Sequence, residues 1–354
     1  MKRTLRIKKA ILLELLLIMA AIAVNGIQHT VRTASSSNTE ETEKGKDEYI
    51  HWVDFTPTCE ALTFAGKVDI ETRDTKYPVD WIELLALCAA RTGGTFDKKA
   101  LIVMKQTAKE LQDGKTTIAI QSKDLKYYDY YKEAYDAVLG GMIGEYEIET
   151  TDDRGKTYKE KRYGLKAFSP IAKGFPYNDY DDFGSSRSFG YRRKHLGHDM
   201  MGQIGTPVIA VESGTVEALG WNQYGGWRIG IRTPDKKRYY YYAHLRQNYP
   251  YAEGLQEGSQ VTAGDVIGYM GHTGYSTKEN VNNIEVTHLH MGIELIFDES
   301  QKESDNEIWI DCYQLVRFLY QNRSEVEKIE GTREWKRVHK MTEYGNEKGR
   351  NVQK

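Results

Sequence analysis

The sequence predicts an α+β protein, with a helical domain first and an antiparallel, β-rich domain after it. Between residues 81 and 114, apolar residues recur three and four positions apart in WIELLALCAAR and LIVMKQTAKELQDG, which is the period of a helix with one buried face. After residue 162 the chain changes to short apolar stretches such as TPVIAV, WRIGIRT and RYYYYAHL, separated by Gly, Pro and Asn. That pattern is typical of strands joined by turns.

Residues 1–32 are predicted to be a targeting segment. The basic stretch MKRTLRIKK runs into an apolar stretch over residues 10–24 that only Glu14 interrupts. One interpretation is a cleaved signal peptide with its cleavage site at Ala-Ile-Ala, residues 21–23. The other, which we favour slightly, is a single membrane anchor over residues 10–27. Either places the rest of the chain outside the cytoplasm, membrane-anchored with the N-terminus inside or secreted.

The remaining chain divides by composition into four blocks. Residues 33–48 are polar without apolar periodicity, which predicts a flexible linker. The helical domain is expected over 49–150, where the aromatic residues of LKYYDYYKEAYDAVL could line a groove but at helical spacing favour a buried core. The β-rich domain is expected over 151–323, with a final helix near IWIDCYQLVRFLYQ, and residues 324–354 are expected to form a charged, mobile tail.

Charge and cysteine content argue against two classes of function. The chain has 49 Lys and Arg against 51 Asp and Glu, and six of the basic residues lie in the first 32, so the remainder is acidic. Nucleic acid is therefore not expected as a partner, because its binding draws on many Lys and Arg contacts. Cys59, Cys88 and Cys312 have no C-x-x-C spacing, which excludes a cysteine-based zinc site. A Cys59–Cys88 bridge is an alternative, but unpaired core positions are favoured.

Two histidines lie one residue apart in VTHLHMGIEL, residues 286–295. In a strand, side chains alternate between the two faces. His288 and His290 then point to one face, while Leu289, Met291, Ile293 and Leu295 form the core face. The two imidazoles project together, roughly 6 to 7 Å apart for a rise of about 3.3 Å per residue. This arrangement suits a shared metal site, although a lone H-x-H pair is more often not a ligand pair.

Two further clusters supply partners for such a site. His195 and Asp199 lie four residues apart with Gly197 between them, so they share a face in an extended or a helical chain. In RYYYYAHL, alternation places Tyr240, Tyr242 and His244 on one face. A catalytic zinc typically has three protein ligands and one open position. His195, Asp199 and one of His288 or His290 would complete that set.

These residues together resemble the lysostaphin-type, or LytM-like, zinc endopeptidases of bacterial cell walls. The resemblance covers about residues 165–297. The motifs that carry it, in order, are H-x-G-x-D at 195–199, GTPVIAVESGTV at 205–216, YAHL at 242–245, GDVIGYMGHTGYST at 264–277 and HLH at 288–290. Several motifs in one order are more specific than any single one of them. The helical region loosely resembles modules that precede the peptidase domain in clostridial relatives, and no chemistry is assigned to it.

The resemblance implies a β-sandwich-like, duplicated-hybrid-motif peptidase domain with a groove over the metal. It also implies that His195, Asp199 and His290 bind Zn²⁺, while His288 and His244 act in catalysis. The expected function is hydrolysis of peptide bonds in peptidoglycan cross-links or stem peptides by a zinc-bound water. The alternative is a catalytically silent, membrane-tethered scaffold or partner-binding protein of the cell envelope. His198 and His272 are expected to be structural or surface residues.

One departure from the family pattern lies directly before the H-x-H pair. The family usually reads S-T-G-P-H-L-H, whereas here Ser276 and Thr277 are followed by the ten residues KENVNNIEVT, 278–287. Its Asn and charged residues favour a solvated loop over a core insertion. We expect this insertion to form one wall of the substrate groove and to help select the peptide. The alternative is a structural excursion without substrate contact.

Overall fold

The computed structural model describes residues 53–190, 192–302, 304 and 306–343. Its N-terminal part is helical, as predicted. The helices of the chain are α1 (Cys59–Thr72), α2 (Trp81–Thr92), α3 (Lys98–Gln112), α4 (Ile118–Ser122), α5 (Tyr128–Leu139) and, near the C-terminus, α6 (Tyr313–Leu319). The first three begin at Thr58, Asp80 and Asp97, whose side chains accept hydrogen bonds from backbone N–H groups three residues on. In α5, Tyr128, Tyr131 and Tyr135 are buried, as the core interpretation expects, whereas Tyr127 just before the helix is exposed.

The remaining chain is rich in antiparallel strands. They are β1 (Ile143–Thr151), β2 (Thr157–Leu165), β3 (Asn178–Asp179), β4 (Ser186–Arg187), β5 (Arg193–Lys194), β6 (His198–Met201), β7 (Pro207–Ile209), β8 (Gly214–Asn222), β9 (Gly226–Arg232), β10 (Arg238–Ala243), β11 (Gln260–Val261), β12 (Val266–Tyr269), β13 (His288–Leu295), β14 (Ile308–Trp309), β15 (Val326–Lys328), β16 (Trp335–Arg337) and β17 (Met341–Glu343). The predicted α+β class, helices first and antiparallel strands after, is confirmed.

An eight-stranded sheet contains β13, the strand that carries His288 and His290. Its order is β11-β8-β9-β10-β13-β6-β3, and β14 also pairs with β13. On β13, Leu289, Met291, Ile293 and Leu295 are fully buried, as the alternation predicts. His290 is the register partner of Asp199 on β6 and of Ala243 on β10. The opposite face of β13, which carries His288, His290 and Glu294, lines a cavity.

One expectation about faces is wrong. Tyr240 and Tyr242 are fully buried in the core, but His244 does not share their side of the sheet. Strand β10 ends at Ala243, and His244 adopts a left-handed conformation with φ 60°. This conformation is uncommon for residues other than glycine. It turns the His244 side chain to the face that carries His290, where both residues line the same cavity.

The helices pack onto the β-rich part through buried polar and apolar contacts. Arg238 is buried and donates hydrogen bonds to the carbonyls of Ala137 (2.8 Å) and Gly140 (2.7 Å) at the end of α5. Its Nε also donates to the Glu212 carboxylate at 2.7 Å. Elsewhere Trp81 of α2 packs on Phe318 of α6 with ring centroids 6.0 Å apart. These contacts make one continuous core of the two regions.

The C-terminal segment expected to be a charged tail contains three strands. β15 pairs with β16, and β17 pairs with β1 in a three-stranded sheet of order β17-β1-β2. Met341 is buried. Directly before this segment, Arg323 donates hydrogen bonds to three carbonyls, those of Ile171, Ala172 and Phe175. The charged composition hid the pattern because apolar Val326, Trp335 and Met341 stand singly among charged neighbours.

The predicted signal or membrane anchor lies outside the described residues. Among the residues that the structure describes, no helix is long and apolar enough to cross a membrane. Cys59, Cys88 and Cys312 are free thiols, which agrees with the favoured interpretation of unpaired cysteines.

Candidate metal centre and groove

Three side chains from different segments converge on one point. His195 Nε2 lies 2.9 Å from Asp199 Oδ1 and 2.9 Å from His290 Nδ1. His290 Nδ1 also lies 2.9 Å from the same Asp199 oxygen. In the described part of the chain this is the single group of three or more His, Cys, Asp or Glu side chains arranged to hold a metal ion. These are the three residues that the family resemblance implied as ligands.

Two adjacent strands and the segment before one of them position the three donors. Asp199 and His290 face each other across the β6–β13 pair, and His195 comes from the segment between β5 and β6. A Cβ atom at Gly197 would lie 2.6 Å from His290 Cε1 and 2.7 Å from the carbonyl oxygen of Met291. Only a residue without a side chain lets the His290 ring pack at this distance, which explains the glycine in H-x-G-x-D.

Two polar residues that the sequence analysis missed surround the centre. His195 Nδ1 lies within hydrogen-bond distance of the backbone carbonyl oxygen of Asp182, at 3.3 Å, and 3.2 Å from the Asp182 carboxylate oxygen Oδ1. Arg187 donates from Nη2 to Asp182 at 2.5 Å and to the second oxygen of Asp199 at 3.0 Å. A backbone carbonyl or carboxylate on the outer nitrogen of a ligating imidazole fixes its tautomer and orientation. Asp182 and Arg187 therefore orient His195 and Asp199. Their spacing in the sequence did not predict this role, because Arg187 reaches the site only through the β4–β5 hairpin.

The pKa shifts of Asp199 and His290 favour the protonation states that bind a metal cation. Burial disfavours the charged form of Asp199, but hydrogen bonds with His195 and His290 outweigh it and hold the pKa of Asp199 well below its usual range. Burial lowers the pKa of His290, against the opposing effect of Asp199. A carboxylate and neutral imidazoles are the forms that ligate zinc.

The spacing of the donors also fits zinc closely. A tetrahedral zinc ion with bonds of roughly 2.0–2.1 Å requires donor atoms about 3.3 Å apart, so each 2.9 Å edge would widen by about 0.4 Å. Such a shift is within the range of small side-chain rotations. The three residues thus fit a zinc ion with one further coordination position.

His244 and His288 lie beside this triangle. Their ring centroids are 4.7 Å apart, and His244 is 5.8 Å from His290 by the same measure. His244 Nδ1 lies 2.9 Å from the carbonyl oxygen of Thr273, and His288 Nδ1 lies 2.7 Å from that of Val286. In a neutral ring, donation from Nδ1 to the carbonyl leaves Nε2 without a hydrogen. Burial, with help from the neighbouring His288 and His290, holds the pKa of His244 well below its ordinary value.

The other histidines of the described residues make contacts away from the centre. His198 Nε2 lies 3.0 Å from an Asp179 oxygen, and its ring packs on Tyr313. His272 Nδ1 lies 2.7 Å from the carbonyl oxygen of Ile284, and His339 Nδ1 lies 3.1 Å from that of Glu149. His29 and His51 are outside the described residues.

A cavity of about 760 Å³ opens over the five clustered residues. Its wall includes cations, carboxylates and aromatic rings from several segments: Arg187, Arg193, Lys194, Arg228, Lys302, Glu285, Glu294, Glu307, Tyr224, Tyr239, Tyr241, Tyr275 and Trp309. Trp309 lies against Gly292, where a Cβ would be 2.6 Å from its ring. The Tyr241 ring lies beside it, 6.2 Å from Trp309 and 6.0 Å from His290 between centroids.

The insertion at 278–287 forms part of this wall. Its residues 283–286 line the cavity. Asn280 anchors it: its side-chain oxygen accepts from Trp227 Nε1 at 2.9 Å and from the backbone N–H of Asn248 at 3.0 Å, and its amide donates to the Asn248 side chain. The insertion is therefore an anchored surface loop, most of whose residues are exposed, as expected for a solvated loop. Its place in the wall of the cavity also agrees with the expectation.

Sequence comparison finds a domain of a known family in one part of the chain. The family model described as "peptidase family M23" matches residues 193–306. That segment contains all five clustered residues.

Individual relatives match over parts of the chain. An L-Ala–D-Glu endopeptidase of Bacillus subtilis is 39% identical over 139 residues, which are 39% of this chain and 40% of that protein. Lysostaphin of Staphylococcus staphylolyticus is 38% identical over 89 residues, 25% of this chain and 18% of that protein. This chain therefore spans less than half the length of these relatives. A solved structure from Ruminococcus gnavus, described as a LytM glycyl-glycine endopeptidase, is 25% identical with a TM-score of 0.46 and covers 76% of this chain and 90% of that one.

Proposed function

Because the chain carries a peptidase family M23 domain at residues 193–306, we propose that it is a zinc metalloendopeptidase that hydrolyses peptide bonds of peptidoglycan. The peptide bonds that it cleaves would lie in the cross-links or the stem peptides of peptidoglycan. The observation that carries the proposal is the triangle of His195, Asp199 and His290, with donor atoms 2.9 Å apart, beside the two imidazoles of His244 and His288. The β-sandwich-like, duplicated-hybrid form of the LytM fold is proposed on the same family basis.

The roles of the residues follow from their contacts. His195, Asp199 and His290 would hold the ion, and Asp182 and Arg187 would orient two of them. When bound, zinc polarises a carbonyl and lowers the pKa of water at its open position. In their neutral forms, His244 and His288 would each present an Nε2 without a hydrogen when Nδ1 donates to its backbone carbonyl. This pair would share the two proton transfers of hydrolysis, from the attacking water and to the departing amine.

We propose an extracytoplasmic location, anchored in the membrane or secreted to the wall, since the proposed substrate lies there. The basic and apolar N-terminal stretch supports it. Protease treatment of intact spheroplasts should degrade the protein while a cytoplasmic marker survives. Protection equal to that of the marker would contradict the location.

The decisive experiment measures metal and activity together. Purified protein should contain close to one zinc per chain and should lower the turbidity of purified cell walls, with new amino groups released in proportion. The walls should include both directly cross-linked and glycine-bridged types. Substoichiometric zinc with no clearing of any wall would instead support the silent scaffold, in which the same groove holds a partner.

A further inference from the structure

Arg228 lies on the cavity side of the sheet, close to the proposed scissile bond. It stands two residues before Gly230, which is the register partner of Tyr241; Tyr241 in turn pairs with Gly292 on the histidine strand. These positions share one face. Strand β9 is separated from β13 by β10 alone, and strands lie about 4.8 Å apart, so Arg228 is about 10 Å from β13 across the sheet. The side chain lines the same cavity as His290.

The Arg228 side chain has no internal counterion. Its Nε is buried and makes no hydrogen bond. Within the described ranges, no carboxylate lies within ion-pair distance of its guanidinium. An unpaired buried donor is costly, because it loses its contacts with water without replacement. Arg228 as a whole is only partly buried and lines the cavity, so its charge is left for a ligand that enters there.

The other cations of the cavity are already engaged or hydrated. Arg187 is shared between Asp182 and Asp199. Lys302 pairs with Glu217 at 2.6 Å. Arg193 stacks over the rings of Tyr224 and Tyr275 and donates to the Phe189 carbonyl, and Lys194 is exposed to water. Arg228 is thus the cation best placed to receive an anion from outside.

A second donor stands next to Arg228. The Tyr241 hydroxyl accepts a hydrogen bond from Asn222 Nδ2 at 3.0 Å, and no acceptor for its own hydrogen is found in the described part of the chain. Gly230, two residues after Arg228 on the same face of β9, is the register partner of Tyr241, and Arg228 and Tyr241 line the same cavity. The Tyr241 O–H and the Arg228 guanidinium are therefore donors on the same face of adjacent strands.

We propose that Arg228, together with the Tyr241 hydroxyl, binds a carboxylate of the substrate peptide next to the scissile bond. An extended peptide advances roughly 3.3–3.6 Å per residue, so the carboxylate lies within about three residues of the cleaved bond. The inference rests on the proposed function and makes it more specific. It assigns the groove to acidic stem peptides in preference to glycine bridges, which carry no side chain.

The test compares two ligands that differ in one charge. The ligands are the tripeptide L-Ala–D-Glu–L-Lys with the free glutamyl carboxylate and the same tripeptide with that group as an amide. Binding is measured by calorimetry on full-length, zinc-loaded protein carrying His244→Ala, so that no substrate is consumed. We expect the carboxylate form to bind about tenfold or more tightly, as for hydrogen bonds to charged groups. The preference should weaken as salt is raised.

Variants assign the preference to Arg228. In the same background, R228Q should abolish the preference by weakening only the carboxylate ligand, and R228K, which keeps the charge but not the planar fork, should retain part of it. The matched control is R192Q, because Arg192 is exposed and does not line the cavity; it should keep the full preference. Equal binding of the two ligands, no binding of either, or equal weakening of both by R228Q would overturn the inference.

Cleavage by the wild-type protein separates this inference from the proposed function. Cleavage of wall peptides without any carboxylate preference would leave the peptidase proposal standing and remove the role of Arg228. Charge-selective binding that depends on Arg228, without cleavage of any wall peptide, would do the reverse. Thermal unfolding of R228Q and R228K checks that both variants are folded.

Discussion

The proposed ligands and the proposed catalytic histidines differ in how the backbone holds them. His290 and Asp199 are register partners in adjacent strands, so the ladder of backbone hydrogen bonds fixes their separation. His244 stands just beyond the end of its strand in a left-handed conformation, with φ 60°. Residues held in such conformations are often found at functional sites, where the surrounding structure compensates the strain. Here the compensation includes the hydrogen bond between His244 and the Thr273 carbonyl.

Substitution should separate the metal ligands from the catalytic pair. His290→Ala removes one of three protein ligands, so zinc and activity should be lost together. His244→Ala or His288→Ala should keep zinc and lower turnover by about a hundredfold or more, as expected when a proton-transfer group is removed. Metal analysis and kcat on a wall peptide test this. An empty site in His288→Ala with a loaded site in His290→Ala would reverse the assignment within H-L-H.

The buried state of His244 predicts how stability depends on pH. The unfolded chain binds a proton on this residue below a pH of about 6.5, whereas the folded chain, with its lowered pKa, does not. The metal-free protein should therefore lose stability as the pH falls below about 6.5, by at most about 1.4 kcal/mol per pH unit from this residue. Urea unfolding with a chelator at pH 7.5 and 5.0 measures this loss, which should be smaller in His244→Asn. An equal loss in the variant would show that His244 does not contribute.

At the scale of elements, the alternation of side chains was predictable from the sequence, whereas contacts between distant segments were not. The core face of β13 follows from Leu289, Met291, Ile293 and Leu295. The side occupied by His244 did not follow from alternation, because alternation stops where the backbone turns left-handed.

The contacts of Asp182 and Arg187 with the proposed ligands could not be predicted from the sequence either. Arg187 and Asp182 reach His195 and Asp199 through the β4–β5 hairpin. Each contact depends on how that hairpin folds back, which no local sequence pattern encodes. The three converging donors were predictable for a different reason: they lie within short motifs whose order along the chain resembles that of a known family.

Shortening the insertion tests its part in substrate selection. Replacing residues 278–287 with Gly-Pro should leave zinc binding intact, since no proposed ligand lies within it. The relative rates on a panel of cross-linked wall peptides should change, because residues 283–286 line the cavity. Unchanged relative rates with zinc retained would show that the loop is structural only.

A milder variant controls for distortion of the neighbouring strand. Asn280→Gly keeps a residue that tolerates φ 61° and removes the hydrogen bonds of the Asn280 side chain with Trp227 and Asn248. It should shift the same peptide preferences to a smaller degree. Zinc loss in the shortened protein would show that the H-L-H strand had moved, and the Asn280→Gly result would then decide.

At the scale of the whole molecule, Arg238 joins the helices to the large sheet. Arg238→Met would remove two hydrogen bonds to the end of α5 and leave the Glu212 carboxylate without its cation. Because breaking a buried ion pair leaves an uncompensated charge, unfolding free energy should fall by about 3–5 kcal/mol. Urea denaturation measures it.

Two comparisons make this prediction specific. Arg154→Met, at an exposed arginine, should change stability by no more than about 0.5 kcal/mol. The double variant Glu212→Gln with Arg238→Met should lose less free energy of unfolding than the sum of the losses in the two single variants. The reason is that the double variant no longer buries an unpaired charge. Strict additivity would show that the pair does not act as a unit.

The pairing of β3 with β6 and of β14 with β13 has a practical consequence for fragments. A fragment cut to residues 193–306 would lack β3 and β14, which cover β6 and β13, along with Arg323 and the carbonyls it binds. Newly bare strand edges invite intermolecular pairing. Such a fragment should therefore precipitate or elute as large aggregates on size exclusion, whereas a chain that retains residues 53–343 should elute as a dispersed species. A fragment of 193–306 that stayed dispersed would show that the flanking segments are dispensable for protecting these edges.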